Sequence, residues 1–558
     1  MDQINQVIQA GYSALQRGAF SEARRHLQHV NHPKAIHLLG LVEKGDGNLE
    51  TAIKLLKRAA HLDQKDPEIA NNLALLARDC AQPELAESEF RRAINLRPNH
   101  MQAKTALGRL LIDTEKWQDA LAIYEPLMQS APHSVPVRYG LGTAKLGAGE
   151  AEDAEALFDT LIREGNELPE ILFMRARARL ELGQVDPALA DLEKSHKLGP
   201  SDFSLRALAS TYWMIGDQTS FDELLGRSCK VPGLAVTSAE ILRQSGKPEQ
   251  ALTTLGAMRK SNDLSPESWS VAAMAHVDLN QAVEAESAAK ECLLTNPDDH
   301  LAIGNLISSL LMQGKAQEAM PFIDAMRTAE PNRQHWIAYE ATALRLMGSD
   351  RYGQLVDLER FVRPYRLSTP AGFDSIEDFN AQFLDALDQW HQCEVHPLDQ
   401  SLRDGSQTPR DLTCIDDPVI RAYVRALDIP IRQYMADVGS EDDHPLTARN
   451  TGKYRITGCW SVRLHGGGHH VNHVHPEGWI SSCYYISVPE ETLTDPDKAG
   501  WIKFAEPPFE TSPPSPAEKW IRPEAGMLVL FPSFLWHGTQ PIHDGSERVT
   551  APFDAVPA

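Results

Sequence analysis

The chain has 558 residues, of which 42% are hydrophobic and 23% charged, and its formal net charge is −23. This length exceeds what one hydrophobic core usually serves, so we expect at least two domains. The negative charge argues against nucleic acid as a partner, because phosphate backbones are bound by excess lysine and arginine. No apolar run reaches the roughly 18 residues of a membrane span, so no membrane partner is expected either.

Two features of the sequence predict a cytoplasmic location. The first residues, Met1 to Asn5, show no basic stretch followed by an apolar one, so no secretory signal is expected. The seven cysteines are scattered and odd in number, without a C-x-x-C pair. That distribution is typical of reduced thiols rather than of a disulfide framework or a zinc ribbon.

A 34-residue repeat runs through residues 1–345. Small alanines recur in two series with this spacing, at Ala52, Ala86, Ala120, Ala154 and Ala188, then at Ala251, Ala285 and Ala319. Glycines precede several of them by five residues (Gly47, Gly149, Gly183, Gly246, Gly314), and prolines recur in phase at Pro98, Pro132, Pro200, Pro297 and Pro331. The alanine lets two helices approach closely, the glycine ends the first helix, and the proline closes the second. We predict nine to ten pairs of antiparallel helices.

The repeat register slips once. Ala188 and Ala251 are 63 residues apart instead of 68, and Phe221 stands where the small residue is expected. This predicts a shortened unit between Gly216 and Pro232, with a kink or a loosened joint in the array there.

The 34-residue period and the segment Ala93–Pro98 resemble the tetratricopeptide repeat. The resemblance implies an all-α solenoid with an extended concave surface, suited to a protein or peptide client. Individual groove residues are not predicted.

Beyond residue 345 the period fades, and we predict a helical junction over residues 346–395. Within it, Tyr352 to Val362 is predicted as a helix that Arg363–Tyr365 breaks, and Ser375 to Trp390 as a second helix capped by Ser375. A separate domain is predicted over residues 396–558.

Alternation of apolar and polar residues replaces helical periodicity in this last domain. One helix, Pro418 to Val438, precedes five predicted strands: Trp460–Leu464, Ile480–Val488, Trp501–Phe504, Met527–Phe531 and Arg548–Phe553. Short strands separated by glycine and proline predict an antiparallel barrel or jelly roll. The proline-rich stretch Glu506–Pro523 is predicted as a long loop beside the site.

A metal site is predicted from three histidines. His473 and His475 are two residues apart, so on a strand they point to the same face, and His537 follows 64 residues after His473. Imidazole ligands suit iron, zinc, copper or nickel, and open sites with three protein ligands are typical of non-haem Fe(II) oxygenases. Other nearby histidines (His465, His469, His470, His543) are expected not to bind metal.

Two further residues are predicted to bind a co-substrate. Arg548 follows His537 by 11 residues and could pair bidentately with the far carboxylate of a metal-bound dicarboxylate. Thr550 lies on the same strand face and could donate its hydroxyl to the same group. Trp460, Trp479, Tyr484 and Tyr485 are predicted to lie in the barrel core, while Arg463 points either into the barrel or to the surface.

Four stretches together carry a second resemblance: Ser401–Thr408, Trp460–Leu464, Asn472–Ser482 with Tyr484 and Tyr485, and Gly526–Ser533 ending in His537. The region from about Gln400 to Asp554 resembles the 2-oxoglutarate- and Fe(II)-dependent oxygenases found fused behind tetratricopeptide repeats. This resemblance implies a double-stranded β-helix (jelly-roll or cupin-like) fold, Fe(II), 2-oxoglutarate, and hydroxylation of a protein or peptide side chain. The predicted fold class is therefore multidomain α + β, with a helical solenoid before a β-helix domain.

His475 stands where such oxygenases usually carry a carboxylate, so three ligand sets remain open. The metal is bound by His473, His475 and His537, or by His475, Glu477 and His537, or by two histidines with water or another ligand completing the shell. Two other functions also remain open. The barrel could be degenerate and the chain a non-catalytic scaffold, or the enzyme could be a cupin-like dioxygenase that needs no 2-oxoglutarate. Arg548 favours the co-substrate.

Overall fold

The computed structural model describes residues 2–261, 265–391, 393, 395–441 and 443–558. Packing divides the chain into two compact units, Met1–Leu182 and Gly183–Ala558. Among the described residues, no helix is both long enough and apolar enough to cross a membrane. The predicted domains 1–345, 346–395 and 396–558 follow the change from helix to strand and stay a prediction. The two units do not coincide with these predicted domains, because the helices from Val185 onward pack in one body with the β domain.

The first unit consists of helices only. They are α1 (Asp2–Gln16), α2 (Phe20–Leu27), α3 (Pro33–Gly45), α4 (Leu49–Leu62), α5 (Pro67–Asp79), α6 (Pro83–Leu96), α7 (Met101–Asp113), α8 (Trp117–Ser130), α9 (Val135–Gly147), α10 (Ala151–Arg163) and α11 (Pro169–Glu181). Ala52, Ala86, Ala120 and Ala154 are fully buried, as their role at close helix contacts predicts.

The helical array continues in the second unit. Its helices are α12 (Val185–Leu198), α13 (Asp202–Met214), α14 (Gln218–Ser228), α15 (Ala235–Gln244), α16 (Pro248–Ser261), α17 (Pro266–Asp278), α18 (Ala282–Thr295), α19 (His300–Met312), α20 (Ala316–Ala329) and α21 (Gln334–Leu346). In chain order and over the described residues, α1 to α10 make five successive pairs in the first unit and α13 to α20 make four in the second, in agreement with the predicted nine to ten.

The shortened unit predicted near Gly216 is confirmed. Helices α14 and α15 have 11 and 10 residues, whereas α13 has 13 and α16 has 14. Phe221 is fully buried and packs against Trp213 at 5.3 Å between ring centroids, so a large side chain fills the place of the small one. The kink stays a prediction.

The turn inside each helix pair requires a left-handed backbone. All five predicted glycines have positive φ, from +71° at Gly183 to +83° at Gly47 and Gly149. Other residues adopt the same conformation at this repeat position, including Ala81 (φ 53°) and Glu115 (φ 56°). The geometry of the turn, rather than the residue type, therefore fixes the conformation.

The junction departs from the prediction. The helix expected over Tyr352–Val362 is two short helices, α22 (Arg351–Leu355) and α23 (Leu358–Phe361), because Asp357 accepts a hydrogen bond from Arg360 N and caps a new start. The expected break at Arg363 begins strand β1 (Arg363–Arg366), which pairs with a strand of the β domain. Helix α24 (Ile376–Asp388) has the predicted cap, since Ser375 Oγ accepts from Asp378 N.

The predicted helix Pro418–Val438 is two helices, α25 (Pro418–Ala426) and α26 (Asp428–Val438), and both lie against the sheets through residues such as Tyr423 and Tyr434. Short 3-10 turns occur at Pro232–Leu234, Leu412–Cys414, Thr447–Arg449 and Glu490–Leu493.

The β domain contains two antiparallel sheets. Its remaining strands are β2 (Leu402–Gln407), β3 (Tyr454–Cys459), β4 (Val462–His470), β5 (Ile480–Ser487), β6 (Ile502–Phe504), β7 (Lys519–Ile521), β8 (Met527–Pro532), β9 (His537–Thr539), β10 (Arg548–Thr550) and β11 (Phe553–Pro557). The larger sheet has the order β1-β8-β5-β10-β4-β2, with β11 joining β5 to β3, and the smaller one the order β7-β6-β9. The predicted fold class, a helical solenoid followed by a β domain, is confirmed.

Several strand predictions need correction. The run Arg548–Phe553 is divided into β10 and β11, because the chain passes from one strand partner to another around Pro552. Strand β7 lies within the predicted loop Glu506–Pro523. Strand β2 was not predicted, since its sequence LRDGSQ is polar and contains glycine; it is an edge strand that pairs with β4 alone.

Exchanging glycine and alanine at this turn position tests the requirement for a left-handed backbone. Gly47→Ala is expected to lower the free energy of unfolding by about 1 kcal/mol, because φ is +83° and the new methyl group meets no atom within 4 Å. Ala81→Gly is expected to raise it by about 0.5 kcal/mol, because the exposed methyl group of Ala81 makes little contact. Urea unfolding followed by circular dichroism measures both, and equal destabilisation by the two substitutions would contradict the account.

Candidate metal and co-substrate site

The backbone brings His473 and His537 together. His473 N donates to His537 O at 2.9 Å, and His537 N donates to His473 O at 3.0 Å. His475 N donates to Ser533 O at 3.1 Å, so the segment with two histidines runs beside the chain that leads to β9. The strand predicted for this segment is instead an irregular stretch with a single β-bridge.

The imidazole rings of His473, His475 and His537 converge. One nitrogen from each ring lies within 4.8 Å of the others, and the Nε2 atoms of His473 and His475 are 3.2 Å apart. The Nδ1 atoms face three oxygen acceptors: the Val471 carbonyl for His473 (2.8 Å), the Asp554 carboxylate for His475 (2.5 Å) and the Leu535 carbonyl for His537 (2.9 Å). An acceptor at Nδ1 places the proton there and leaves the Nε2 lone pair free for a metal.

The protein keeps two of these rings neutral. Burial, with the neighbouring His475, lowers the pKa of His473 to about 3, and burial lowers the pKa of His537 well below its usual value. Neutral imidazole is the form that binds a metal ion. The donor set therefore fits a divalent metal with open positions.

Glu477 does not join this cluster. Its side chain is 76% exposed and forms an ion pair with Arg333. The ligand set with Glu477 is not assembled in the structure, whereas the three-histidine set is.

Arg548 and Thr550 lie on β10 and line the same cavity of about 690 Å³ as the three histidines. Arg548 is 1% exposed; its Nη1 donates to Gly500 O at 2.6 Å, and its Nε has no partner. No carboxylate among the described residues pairs with this guanidinium. A buried cation without a counter-ion is costly, so this end of the cavity fits an anionic ligand.

Several cavity residues were missed by the sequence analysis. Trp460, predicted in the core, is only half-buried, and its ring stacks on His475 at 6.0 Å; Trp479, Tyr484 and Tyr485 are buried as predicted. Ser401 Oγ lies 2.9 Å from His470 Nδ1 and 3.2 Å from His473 Nε2. Asp554 was missed as well: it continues the alternation of Arg548 and Thr550 in the sequence, but its contact with His475 is seen only in the folded chain.

His543, His465 and Arg463 lie away from the three converging histidines. His543 Nε2 lies within hydrogen-bond distance of the Asp495 carboxylate, at 2.6 Å. His465 has a half-exposed side chain 3.8 Å from Glu547. Arg463 pairs with Asp388 of α24, its side chain is mostly buried, and it does not line the cavity that the three histidines share.

Helix α21, the last of the helical array, contacts the chain on both sides of the histidine cluster. Gln334 N donates to Pro476 O at 3.0 Å, directly after His475. Trp536, directly before His537, donates from Nε1 to Thr342 Oγ1 at 2.9 Å, and its ring meets Tyr339 edge-on at 5.9 Å.

The same helix holds the loop that precedes β7. Arg345 donates to Ala505 O and to Pro516 O, each at 2.7 Å, and pairs with Glu518 at 2.9 Å. A chain cut at residue 345 would remove these contacts, so α21 belongs structurally to the β domain.

Family comparisons agree with this geometry. Residues 458–554 match the family described as "Putative 2OG-Fe(II) oxygenase", and residues 72–134 and 111–171 each match a tetratricopeptide-repeat family. The chain thus combines tetratricopeptide repeats with a C-terminal domain of the 2OG-Fe(II) oxygenase type, and both resemblances stated from the sequence are confirmed.

Several solved structures are similar to part of this chain. MamA (residues 41 to the end) from Desulfovibrio magneticus RS-1 is 21% identical over 30% of this chain and 96% of its own, with a TM-score of 0.29. PilF from Pseudomonas aeruginosa is 19% identical over 35% and 89%, with a TM-score of 0.31. Yeast Tom70 is 13% identical over 63% and 97%, with a TM-score of 0.31. No curated protein matches the sequence.

The contact between Thr342 and Trp536 can be removed with little change of shape. Thr342→Val leaves the buried indole N–H without an acceptor, so we expect a loss of about 1–3 kcal/mol in the free energy of unfolding and weaker Mn²⁺ binding. Thr342→Ser keeps the hydroxyl and is the matched control. Thermal unfolding and isothermal titration with Mn²⁺ measure the two effects, and identical behaviour of the Val and Ser variants would contradict the role of α21.

Proposed function

We propose that the C-terminal domain is a 2-oxoglutarate- and Fe(II)-dependent dioxygenase. His473, His475 and His537 bind the metal, and Arg548 with Thr550 binds the co-substrate. The observation that carries the proposal is one cavity with two complementary ends. Three imidazole nitrogens converge at one end, and a buried guanidinium without a carboxylate partner lies at the other.

Each residue of the proposed site has a separate role in binding the metal or the co-substrate. When bound, Fe(II) and 2-oxoglutarate activate dioxygen, so that the co-substrate is decarboxylated to succinate and a substrate C–H bond is hydroxylated. The hydrogen bonds at Nδ1 hold the imidazoles in the tautomer that binds metal. Arg548 presents its fork to a carboxylate, and Thr550 on the same strand face offers a hydroxyl. Arg548 is the reason to prefer 2-oxoglutarate over a mechanism without a co-substrate.

The substrate is proposed to be a protein or peptide side chain recruited by the helical array. Tetratricopeptide repeats generally serve protein–protein interaction through their concave surface. Within the second unit, α21 touches the chain directly beside His475 and directly before His537. A client on the neighbouring repeats would therefore lie close to the chemistry. We place this reaction in the cytoplasm, in agreement with seven free cysteines.

Formation of succinate from 2-oxoglutarate by the purified chain under air, with Fe(II) and ascorbate, tests the activity. We expect turnover in the wild type and none in His537→Ala. Arg548→Met is expected to raise the KM for 2-oxoglutarate about 100-fold or more, because a buried charge pair is lost. Arg548→Lys keeps the charge but not the bidentate geometry, so its KM for 2-oxoglutarate should lie between those of the wild type and Arg548→Met. Absence of both succinate and metal binding in the wild type would leave the chain a scaffold.

Mn²⁺ titration separates the possible ligand sets. His475→Ala is expected to abolish binding, because it removes one of three converging nitrogens. Glu477→Gln is expected to bind as the wild type does, because Glu477 pairs with Arg333 on the surface. Loss of binding in Glu477→Gln with retention in His475→Ala would assign the carboxylate to the metal instead.

A further inference from the structure

Asp554 lies directly behind one of the three proposed ligands. Its Oδ2 is 2.5 Å from His475 Nδ1, and the two side chains are 16% and 17% exposed. Because a carboxylate oxygen accepts, the proton of this hydrogen bond resides on Nδ1. The lone pair of His475 Nε2 is then directed toward His473 Nε2 at 3.2 Å.

The carboxylate is held in place from its other side. Ser481 Oγ donates to Asp554 Oδ1 at 2.7 Å and lies 2.8 Å from Ser533 Oγ. The backbones of Asp554 and Ser481 are paired between β11 and β5. Both carboxylate oxygens are thus engaged, one by a serine of the sheet and one by the imidazole, so Asp554 is not itself in the position of a ligand.

Among the three histidines, His475 alone has an anionic partner. His473 and His537 face the backbone carbonyls of Val471 and Leu535, which carry no net charge. On its other face, the His475 ring stacks with Trp460 at an interplanar angle of 20°, so its orientation is fixed as well. A backbone carbonyl is enough to fix the tautomer of His473 and of His537. The tautomer alone therefore does not explain why His475 has a carboxylate as its acceptor.

We propose that Asp554 supplies, through His475, the negative charge that a site of three neutral histidines lacks. The proposal rests on the proposed function, since it assumes a metal at these ligands. A carboxylate hydrogen-bonded to a ligating imidazole makes the ring more basic and stabilises the bound cation. In a buried setting that attraction is screened less than in water. Asp554 is then a positioning residue that acts on the metal through the imidazole of His475, rather than as a direct carboxylate ligand.

Replacing the charge while keeping the shape tests this role. Asp554→Asn removes the charge but retains an oxygen that can accept from Nδ1, and Asp554→Glu retains the charge. The affinity for Mn²⁺ is measured by isothermal titration on the full chain, and the Co²⁺-loaded protein gives a visible absorption spectrum that reports on the ligand field. We expect Asp554→Asn to bind Mn²⁺ about 10–100-fold more weakly. Asp554→Glu should recover most of that loss, and the Co²⁺ bands should shift in Asp554→Asn.

Two controls separate charge from support of the fold. Ser481→Ala removes the hydrogen bond that holds the carboxylate but leaves the charge, so a smaller loss of affinity is expected. Thermal unfolding of the metal-free proteins shows whether the β domain is intact, and Asp554→Asn should unfold close to the wild type. If Asp554→Asn unfolds at a lower temperature than the wild type, Asp554→Glu is compared with the wild type instead, by its Mn²⁺ affinity and its Co²⁺ spectrum.

The outcomes distinguish this proposal from the function it rests on. A wild type that binds neither Mn²⁺ nor Co²⁺ would contradict the metal site as a whole. A wild type that binds metal, with equal affinity in Asp554→Asn, would contradict only the role of Asp554. A loss of affinity that Asp554→Glu does not recover, in step with earlier unfolding, would assign Asp554 to support of the fold and overturn the proposal.

Discussion

The site depends on one pair of backbone hydrogen bonds, exchanged between His473 and His537. These residues are 64 positions apart in the sequence. The two backbone hydrogen bonds alone, without any side-chain contact, hold them next to each other. A third bond, from His475 N to Ser533 O, extends the contact along the same two segments. The hydrogen bonds at Nδ1 then turn the rings so that Nε2 points inward. The convergence of the three imidazole rings is therefore set largely by main-chain pairing and refined by side-chain hydrogen bonds.

The helical array and the site are linked through this same chain. Trp536 precedes His537 and is held by α21, while Pro476 follows His475 and accepts from α21. The division of the chain into units agrees with this connection, since α21 and the β domain share one body. A fusion of two independent modules would not need such contacts. Helix α21 is thus the structural element that connects the helical array to the histidine cluster.

Much of the fold could be read from the sequence because its signals are local and repeated. The alanine and glycine positions follow from close packing and from a left-handed turn, and both are found where expected. The single helix expected over Tyr352–Val362 was wrong, because a cap at Asp357 starts a new helix and the pairing of β1 with β8 follows directly. For the site, spacing singled out His473, His475, His537 and Arg548, which the structure brings to one cavity, and their roles in binding stay a prediction. Asp554 and Trp460 were not singled out, since their contacts with His475 are seen only in the folded chain.

The most direct test of the account is an anaerobic titration of the Fe(II)-loaded chain with 2-oxoglutarate, followed by visible absorption. A co-substrate that chelates iron through its keto acid produces a metal-to-ligand charge-transfer band, and no protein client is needed for it to form. We predict that the band forms and saturates in the wild type, is absent in His537→Ala, and requires much more 2-oxoglutarate in Arg548→Met. Tight Fe(II) binding with no band at any 2-oxoglutarate concentration would contradict the assignment of the cavity to this co-substrate.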